Sequence, residues 1–237
     1  MIDFHTHILP GIDDGSRDSN MTAAMLWEER KQNVELIVAT PHFYADRMRI
    51  DTFLRYRELA LEKVKKIQVA STEPLPKIIC GAEVYYFYGI GEADEVKRLC
   101  IDGTQTILLE MPFTQWMEDV LRDVEGLIEK QKLNVVLAHV ERYYGFQRDR
   151  RIWDRIMELP LTPQINAGSF IPKRGLLHPG KKRKFCMRFL DKHPDLILGS
   201  DCHNTTSRVP NLAKGRKEIS VEALAKIDRA TRLALEM

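Results

Sequence analysis

The sequence predicts an α/β fold in which parallel strands alternate with helices and close into a barrel. Three observations carry this reading. Short apolar runs rich in Val, Ile and Leu recur with amphipathic stretches between them, as expected of strands covered on both faces. Seven such units can be counted, and strands separated by helices pair in parallel, either in a barrel or in an open doubly wound sheet. Most runs end on a histidine or an acid. A closed barrel gathers all its strand ends on one face, whereas an open sheet leaves its outer strands far from a single crevice, so the polar ends favour the barrel.

The elements follow in order. Met1 to Gly15 begins with a short strand whose His5 and His7, on alternate positions, point the same way on an extended backbone. It leaves strand character at Leu9, Pro10 and Gly11 and carries Asp13 and Asp14 on a turn. Ser19 to Gln32 has the spacing of an amphipathic helix, and Leu36 to Thr40 is a buried strand ending at Pro41-His42. Asp51 to Val69 keeps apolar residues three and four apart, a long charged helix stopped by Pro74 and Pro76. Ile78 to Ala82 ends at Glu83, and the aromatic group Tyr85, Tyr86, Phe87 and Tyr88 follows. Thr106 to Leu109 ends at Glu110, a helical segment covers Met117 to Lys130, and Val135 to Ala138 ends at His139. The last two strands are Thr162 to Asn166 and Leu196 to Ser200, the latter ending at Asp201 and His203, with helices near Asp149 to Glu158 and Lys181 to His193.

A chain of 237 residues with 44% hydrophobic composition can bury one large core, and we expect a single domain over 1–237. Lys plus Arg (36) nearly balances Asp plus Glu (34), which argues against a dedicated nucleic-acid binder. No basic leader with an apolar run, and no stretch of about 18 apolar residues, points to membrane insertion, so a cytoplasmic protein is expected. Cys80, Cys100, Cys186 and Cys202 lack any CxxC spacing, which fits reduced thiols.

The candidate metal ligands are His5, His7, His42, Glu83, Glu110, His139, Asp201 and His203. Eight groups exceed the need of one cation, so the set suits two or three ions bridged by carboxylates. Imidazole mixed with carboxylate fits manganese, iron or zinc better than magnesium. Any one such residue is usually a hydrogen-bonded surface group. Together they are harder to explain so, because five of the seven histidines fall at strand ends and only His178 and His193 do not.

The runs DFHTHILPGIDDG, ATPH, GAEVYY, LLEM, HVERY and SDCH, in this order, resemble the polymerase-and-histidinol-phosphatase (PHP) superfamily. Within it they are most similar to bacterial tyrosine-protein phosphatases of capsule and exopolysaccharide operons. The resemblance spans Met1 to about Pro210. It implies a distorted (β/α)7 TIM-like barrel (the PHP fold) and a trinuclear centre in which manganese is the first choice, with iron, zinc or magnesium as alternatives. It also implies hydrolysis of phosphotyrosine on the tail of a membrane-associated tyrosine autokinase that controls polysaccharide synthesis. By motif position, Arg142 and Arg208 would contact phosphate, and Asp14 would act as an acid or position water. The sequence departs from the pattern at Thr6, where serine is commoner, and at Val209, where a second proline often stands. The tail after Asn211 matches loosely and is left between substrate contact and assembly of a homo-oligomer.

The reaction this implies is in-line attack on phosphorus by a metal-bridging hydroxide, with a phenolate leaving group of pKa about 10 that needs little protonation. Cys202 to Arg208 also satisfies the C-x5-R spacing of cysteine-dependent phosphatases. That loop cradles phosphate on backbone amides and favours glycine, and this segment has none, so the spacing reads as coincidence. Arg148, Arg150, Arg151, Lys173, Arg174 and the run Lys181 to Lys184 could attract an acidic phosphopeptide, although a solvated face is the commoner meaning of such residues. The aromatic group Tyr85 to Tyr88 could flank a phosphotyrosine ring or simply pack. Two further readings stand beside the tyrosine phosphatase: a small-molecule phosphomonoesterase such as a histidinol phosphatase, and a non-catalytic metal-binding interaction module. The last would be expected to lack ligands, and none is missing.

Overall fold

The computed structural model describes residues 1–172 and 180–237; Lys173, Arg174 and His178 lie outside the described residues. The elements in chain order are β1 (Ile2–Thr6), α1 (Ser19–Lys31), β2 (Leu36–Ala39), β3 (His42–Phe43), α2 (Ile50–Ala70), β4 (Lys77–Cys80), β5 (Glu83–Tyr85) and β6 (Thr106–Glu110). They continue with α3 (Glu118–Glu125), β7 (Asn134–Leu137), α4 (Arg151–Glu158), β8 (Thr162–Asn166), α5 (Lys181–Lys192), β9 (Ile197–Gly199), α6 (Leu212–Arg216) and α7 (Val221–Ala234).

All strand pairs are parallel, in the orders β1-β2-β4 and β3-β5-β6-β7-β8-β9. The nine segments make seven staves, because β2 and β3 are one stave interrupted at Thr40-Pro41, and β4 and β5 are another interrupted at Gly81-Ala82. Pro41 has no N–H to give to a ladder, yet the two staves stay in step, since Gly81 N donates to Ala39 O (2.8 Å) and Glu83 N to Pro41 O (3.0 Å). His42 and Glu83 therefore sit on resumed strand segments rather than just past strand ends. The ring closes where Thr6 bridges Cys202, with His7 N donating to Cys202 O at 2.9 Å and Asp201 N to His5 O at 2.8 Å. The curled parallel sheet expected from the sequence is thus present. The helix expected over Met117 to Lys130 passes into a π-turn at Gly126–Lys130. There a Cβ on Gly126 would lie 2.9 Å from the Gly91 backbone, so the close approach requires glycine.

Strand periodicity divides the core into two clusters. Ile37, Ala39, Ile107, Leu109, Val135 and Leu137 face outward and pack with helix residues such as Met25, Leu26 and Val64. Their neighbours Phe4, Val38, Leu108, Val136 and Ile197 fill the lumen and meet Ala230 and Ala234 of α7 and Leu235 just after it. Thr106 Oγ1 donates to Ala234 O (2.5 Å), so the end of α7 plugs the amino-terminal mouth of the barrel. The tail that the sequence left between substrate contact and assembly is core material. Above this apolar floor the lumen turns polar.

The β1 register makes that change abrupt. Asp3 pairs with Ile37 and Thr6 with Ala39, so β1 carries one extra residue, a bulge that re-aims side chains. Phe4 lies on the lumen floor and the next residue, His5, also enters the lumen. Asp3 is left on the outer side, buried, accepting from Ser200 N (2.8 Å) and facing Glu29 of α1, whose Oε1 lies 3.6 Å from Cys202 Sγ. Burial, then the Asp3 charge, holds the Glu29 carboxyl well above the usual range.

Two outcomes follow. Leu108→Ala, which hollows the lumen floor, should cost about 2–5 kcal/mol in urea denaturation. Glu29 keeps a proton in the folded state that the unfolded chain releases above pH about 4.3, so its contribution to stability falls as pH rises towards the folded pKa. Glu29→Gln keeps the contact without titrating. Its stability relative to wild type should rise between pH 5 and pH 8 in the metal-free protein, and a flat difference would contradict the assignment.

Candidate metal centre

The carboxyl ends of the staves converge as the barrel requires, and all eight sequence-selected ligands meet there. His5, His7, Glu83 and His139 are fully buried, and Glu110, Asp201 and His203 nearly so. Three overlapping groups have donor atoms close enough to share an ion: His5, His7 and Glu83; His42, Glu83 and Glu110; and His7, Asp14, His42 and His203. His139 Nε2 lies 2.7 Å from Glu83 Oε1 and 3.5 Å from Glu110 Oε1. Asp201 Oδ1 is 3.5 Å from His7 Nε2 and 3.6 Å from His203 Nδ1.

Local backbone choices make this convergence possible. His139 (φ 28°) and Asp201 (φ 53°) are both left-handed, a conformation that costs non-glycine residues of order 1–3 kcal/mol and clusters at functional sites. Gly199 faces His5, and a Cβ there would fall 2.5 Å from His5 Cβ. Only glycine leaves the imidazole its place.

Hydrogen bonds then fix which nitrogen of three of the histidines is bare. His139 N–H can only donate, and it donates to Gln164 Oε1 at 2.8 Å. That oxygen must therefore accept from His5 Nδ1 as well (3.1 Å), which puts the His5 proton on Nδ1 and the Nε2 lone pair in the site. His7 Nδ1 donates to Asp13 Oδ2 (2.7 Å), an oxygen that also accepts from His42 N (3.0 Å). His203 Nδ1 donates to Asp201 O (3.1 Å). Three histidines are thus oriented by acceptors behind them, the usual support of a metal-binding imidazole.

The result is an excess of acceptors. His5 Nε2 and His7 Nε2 lie 3.1 Å apart. Glu83 Oε2 lies 3.2 Å from His5 Nε2, 3.1 Å from His7 Nε2 and 3.0 Å from His42 Nδ1. Glu83 Oε2, His42 Nδ1 and His203 Nε2 are buried with no hydrogen-bond partner among the described residues. Buried lone pairs facing one another are costly unless a cation lies between them, so the donor set fits divalent metal ions. The electrostatics agree. Burial alone would raise Glu83, but the closeness of His5, His139 and His7 holds it well below the usual range. Burial lowers His7, yet Asp13 and then Glu83 draw it up to about 10. Glu110 is pushed up to about 8 by burial and by the Glu83 charge.

The remaining predicted residues form the rim. Asp14 Oδ1 approaches His203 Nε2 (3.3 Å) and His42 Nε2 (3.5 Å), and its side chain is 65% exposed. The closeness of His203 outweighs burial and lowers its pKa. Arg208 Nη2 lies 2.6 Å from Asp201 Oδ1 and Arg142 Nη1 3.7 Å from Asp201 Oδ2, both partly exposed. Arg142 stacks over Phe113 at 4.8 Å, and Tyr44 stands between His42 and Tyr85. The aromatic run divides: Tyr85 joins the rim, Tyr86 donates to Asp123 (2.8 Å), and Tyr88 is exposed. Cys202 is buried with its thiol towards Glu29 and its pKa well above the usual value because of burial and the Glu29 charge, away from the ligand groups.

Asp13, Gln164 and Asn166 have no assigned role in the sequence reading. Asn166 takes Gln164 Nε2–H on its Oδ1 (3.0 Å) and donates to Asp201 Oδ2 (2.7 Å). The available signal was the spacing Gln164-x-Asn166, two polar residues on one face of a strand, and the acid doublet Asp13-Asp14.

Comparison with known proteins gives a family and a fold. A family model described as "Capsular polysaccharide synthesis, CpsB/CapC" matches residues 1–232. Tyrosine-protein phosphatase YwqE of Bacillus subtilis (strain 168) is 30% identical over 214 residues, covering 88% of this chain and 79% of that protein. Tyrosine-protein phosphatase CpsB of Streptococcus agalactiae is 27% identical over 222 residues, covering 92% and 89%. A solved structure from work on YwqE of Bacillus subtilis and CpsB of Streptococcus pneumoniae, described as unique metal-dependent tyrosine phosphatases, superposes with a TM-score of 0.76 at 22% identity, covering 99% of this chain and 94% of that one. A phosphotriesterase homology protein of Escherichia coli, solved with phosphate in its active site, shares the fold at a TM-score of 0.51 and 12% identity, covering 95% and 94%.

The orienting role of Gln164 is open to test. Gln164→Leu removes the acceptor behind His5 and should lower manganese affinity about 10–100-fold in a chelator competition while circular dichroism stays native. Unchanged affinity would contradict it.

Proposed function

This chain belongs to the CpsB/CapC family of capsular polysaccharide synthesis, and from that premise we propose that it is a single-domain, metal-dependent protein-tyrosine phosphatase acting in the cytoplasm. Its substrate is a phosphotyrosine-bearing tail of a membrane-associated tyrosine kinase. The observation that carries the reading is the buried Glu83 carboxylate facing the nitrogens of His5, His7 and His42. Among the described residues, no helix is long and apolar enough to cross a membrane.

His5, His7, His42, Glu83, Glu110, His139, Asp201 and His203 would hold about two or three ions, manganese first and iron, zinc or magnesium as alternatives. When bound, such ions neutralise phosphoryl charge and acidify water from a pKa of about 15.7 towards 7. The protein's own groups supply the rest. Arg142 and Arg208 converge on Asp201 at the exposed edge, where their remaining N–H groups can take phosphoryl oxygens. Asp14 is held ionised by His203, which suits it to accept a proton from water or to join His7, His42 and His203 as a ligand. It is poorly suited to serve as a general acid. A phenolate of pKa about 10 leaves with little help. Tyr44, Tyr85 and Phe113 border the mouth, where a phenyl ring bound to the phosphate would lie.

The test strips the protein with chelator, restores manganese, and compares a phosphotyrosine peptide, a phosphoserine peptide and histidinol phosphate. Metal-dependent turnover selective for phosphotyrosine is expected. Preference for histidinol phosphate would overturn the substrate assignment, and no turnover with manganese, iron, zinc or magnesium would overturn the enzyme assignment. Arg208→Ala should cost about 10²–10³ in kcat. Cys202→Ser should keep activity, and its complete loss with metals still bound would revive a cysteine mechanism.

A further inference from the structure

Beside the metal centre a long groove opens between α4 and α5, with a volume of about 1150 Å³. Arg142 lines it, the same arginine whose guanidinium approaches Asp201 at the mouth of the site. The floor is aromatic. Tyr144 and Phe185 have centroids 4.5 Å apart, Phe185 and Phe189 5.3 Å, and Tyr144 and Trp153 5.6 Å. The wall is cationic: seven lysines and arginines line the groove against three carboxylates, in a chain whose net charge is only +2.

Three features separate this groove from an ordinary solvated helix face. Lys181, Lys184, Arg188 and Lys192 follow one another at spacings of three and four on α5, so they share one side of the helix, and all four are exposed. Among the described residues none of them forms an ion pair, whereas Arg183, between them, is tied to Glu218 at 3.1 Å. The first turn of α5 carries Lys181, Lys182, Arg183 and Lys184 and no acid, which works against the helix dipole. These charges do not stabilise their own helix. Arg150, on the opposite bank, stacks its guanidinium 3.7 Å over Tyr144, which leaves its N–H edges available.

We propose that this groove docks the acidic, aromatic-containing stretch of peptide flanking the phosphotyrosine, holding substrate carboxylates on the α5 cations and a neighbouring side-chain ring on the Tyr144–Phe185 floor. The inference rests on the phosphatase reading, and peptide is favoured because Arg142 borders both the groove and the mouth of the site, so an occupant of the groove is continuous with the group presented to the metal centre. A cationic wall of this kind acts on encounter and ground-state affinity and leaves the chemical step alone.

The experiment uses the full, manganese-loaded chain and the double charge reversal Lys184→Glu with Arg188→Glu, two exposed positions outside the metal centre. Substrates are two phosphotyrosine peptides, one with Asp and Glu flanks and one with Gly and Ser flanks, and p-nitrophenyl phosphate. For the acidic peptide, KM should rise at least about tenfold with kcat within about twofold, while the other two substrates stay within about twofold. Equal changes for both peptides, or none, would overturn the proposal. Fluorescence anisotropy of the acidic peptide with its tyrosine unphosphorylated gives a readout independent of catalysis, and the reversal should abolish its binding. If wild type binds this peptide but hydrolyses none of the phosphoesters, the phosphatase reading fails and the groove stands. If it hydrolyses phosphotyrosine without binding the acidic peptide, the groove fails alone. Tighter binding of a single-stranded oligonucleotide of equal charge would overturn the peptide as occupant.

Discussion

The structure depends on one buried carboxylate. Glu83 Oε2 faces the nitrogens of His5, His7 and His42 at 3.0–3.2 Å, and Glu83 Oε1 lies 2.7 Å from His139. A charge in this position is costly to desolvate and persists only when positive charge surrounds it. The barrel gathers imidazoles from β1, from the β2–β3 stave and from the end of β7 around one point, so that their bare nitrogens and the carboxylate can share the metal ions that supply that charge. The unusual backbone features serve the same end. The β1 bulge sends His5 inward directly above Phe4, Gly199 clears space for its ring, and the left-handed residues His139 and Asp201 turn the chain at the stave ends.

Below the charge the lumen is apolar. Phe4, Val38, Leu108, Val136 and Ile197 form a floor closed by α7, so the polar groups open to solvent only at the carboxyl face. Low local polarity strengthens every interaction among them. Around the open face lie the two arginines on Asp201, the Tyr44–Tyr85 rim and, beyond Arg142, the cationic groove. Each lies at a greater distance from the charged hub and is more exposed, which is the order expected if the centre does the chemistry and its surroundings select what reaches it.

Much of this was legible in the sequence, for a physical reason. A strand that ends at an active face must change from apolar to chemically competent within one residue, and Glu110 and His139 mark that change without ambiguity. His42 and Glu83 were found although their staves resume beyond the expected ends, because Pro41 and Gly81 interrupt the ladder where the apolar run stops. Gln164 was not legible. Its function lies in accepting from His5 and His139, and nothing in an isolated strand tells such a glutamine from one that faces solvent. Asp13 was visible beside Asp14, but only the turn geometry shows that it aims His7. The helix α7 and its destination were also hidden, since no helix was assigned to the tail after Asn211 and nothing in that segment states what it packs against.

The central claim is that Glu83 and the imidazoles around it are arranged for metal ions. The most direct measurement is the number of manganese ions held per chain, determined by elemental analysis after loading and gel filtration, for wild type and for Glu83→Gln. The account predicts about two or three ions for wild type and at least one fewer for the variant, with its fold intact. Wild type that retains no divalent ion with any transition metal, or a variant that holds as many as wild type, would contradict it.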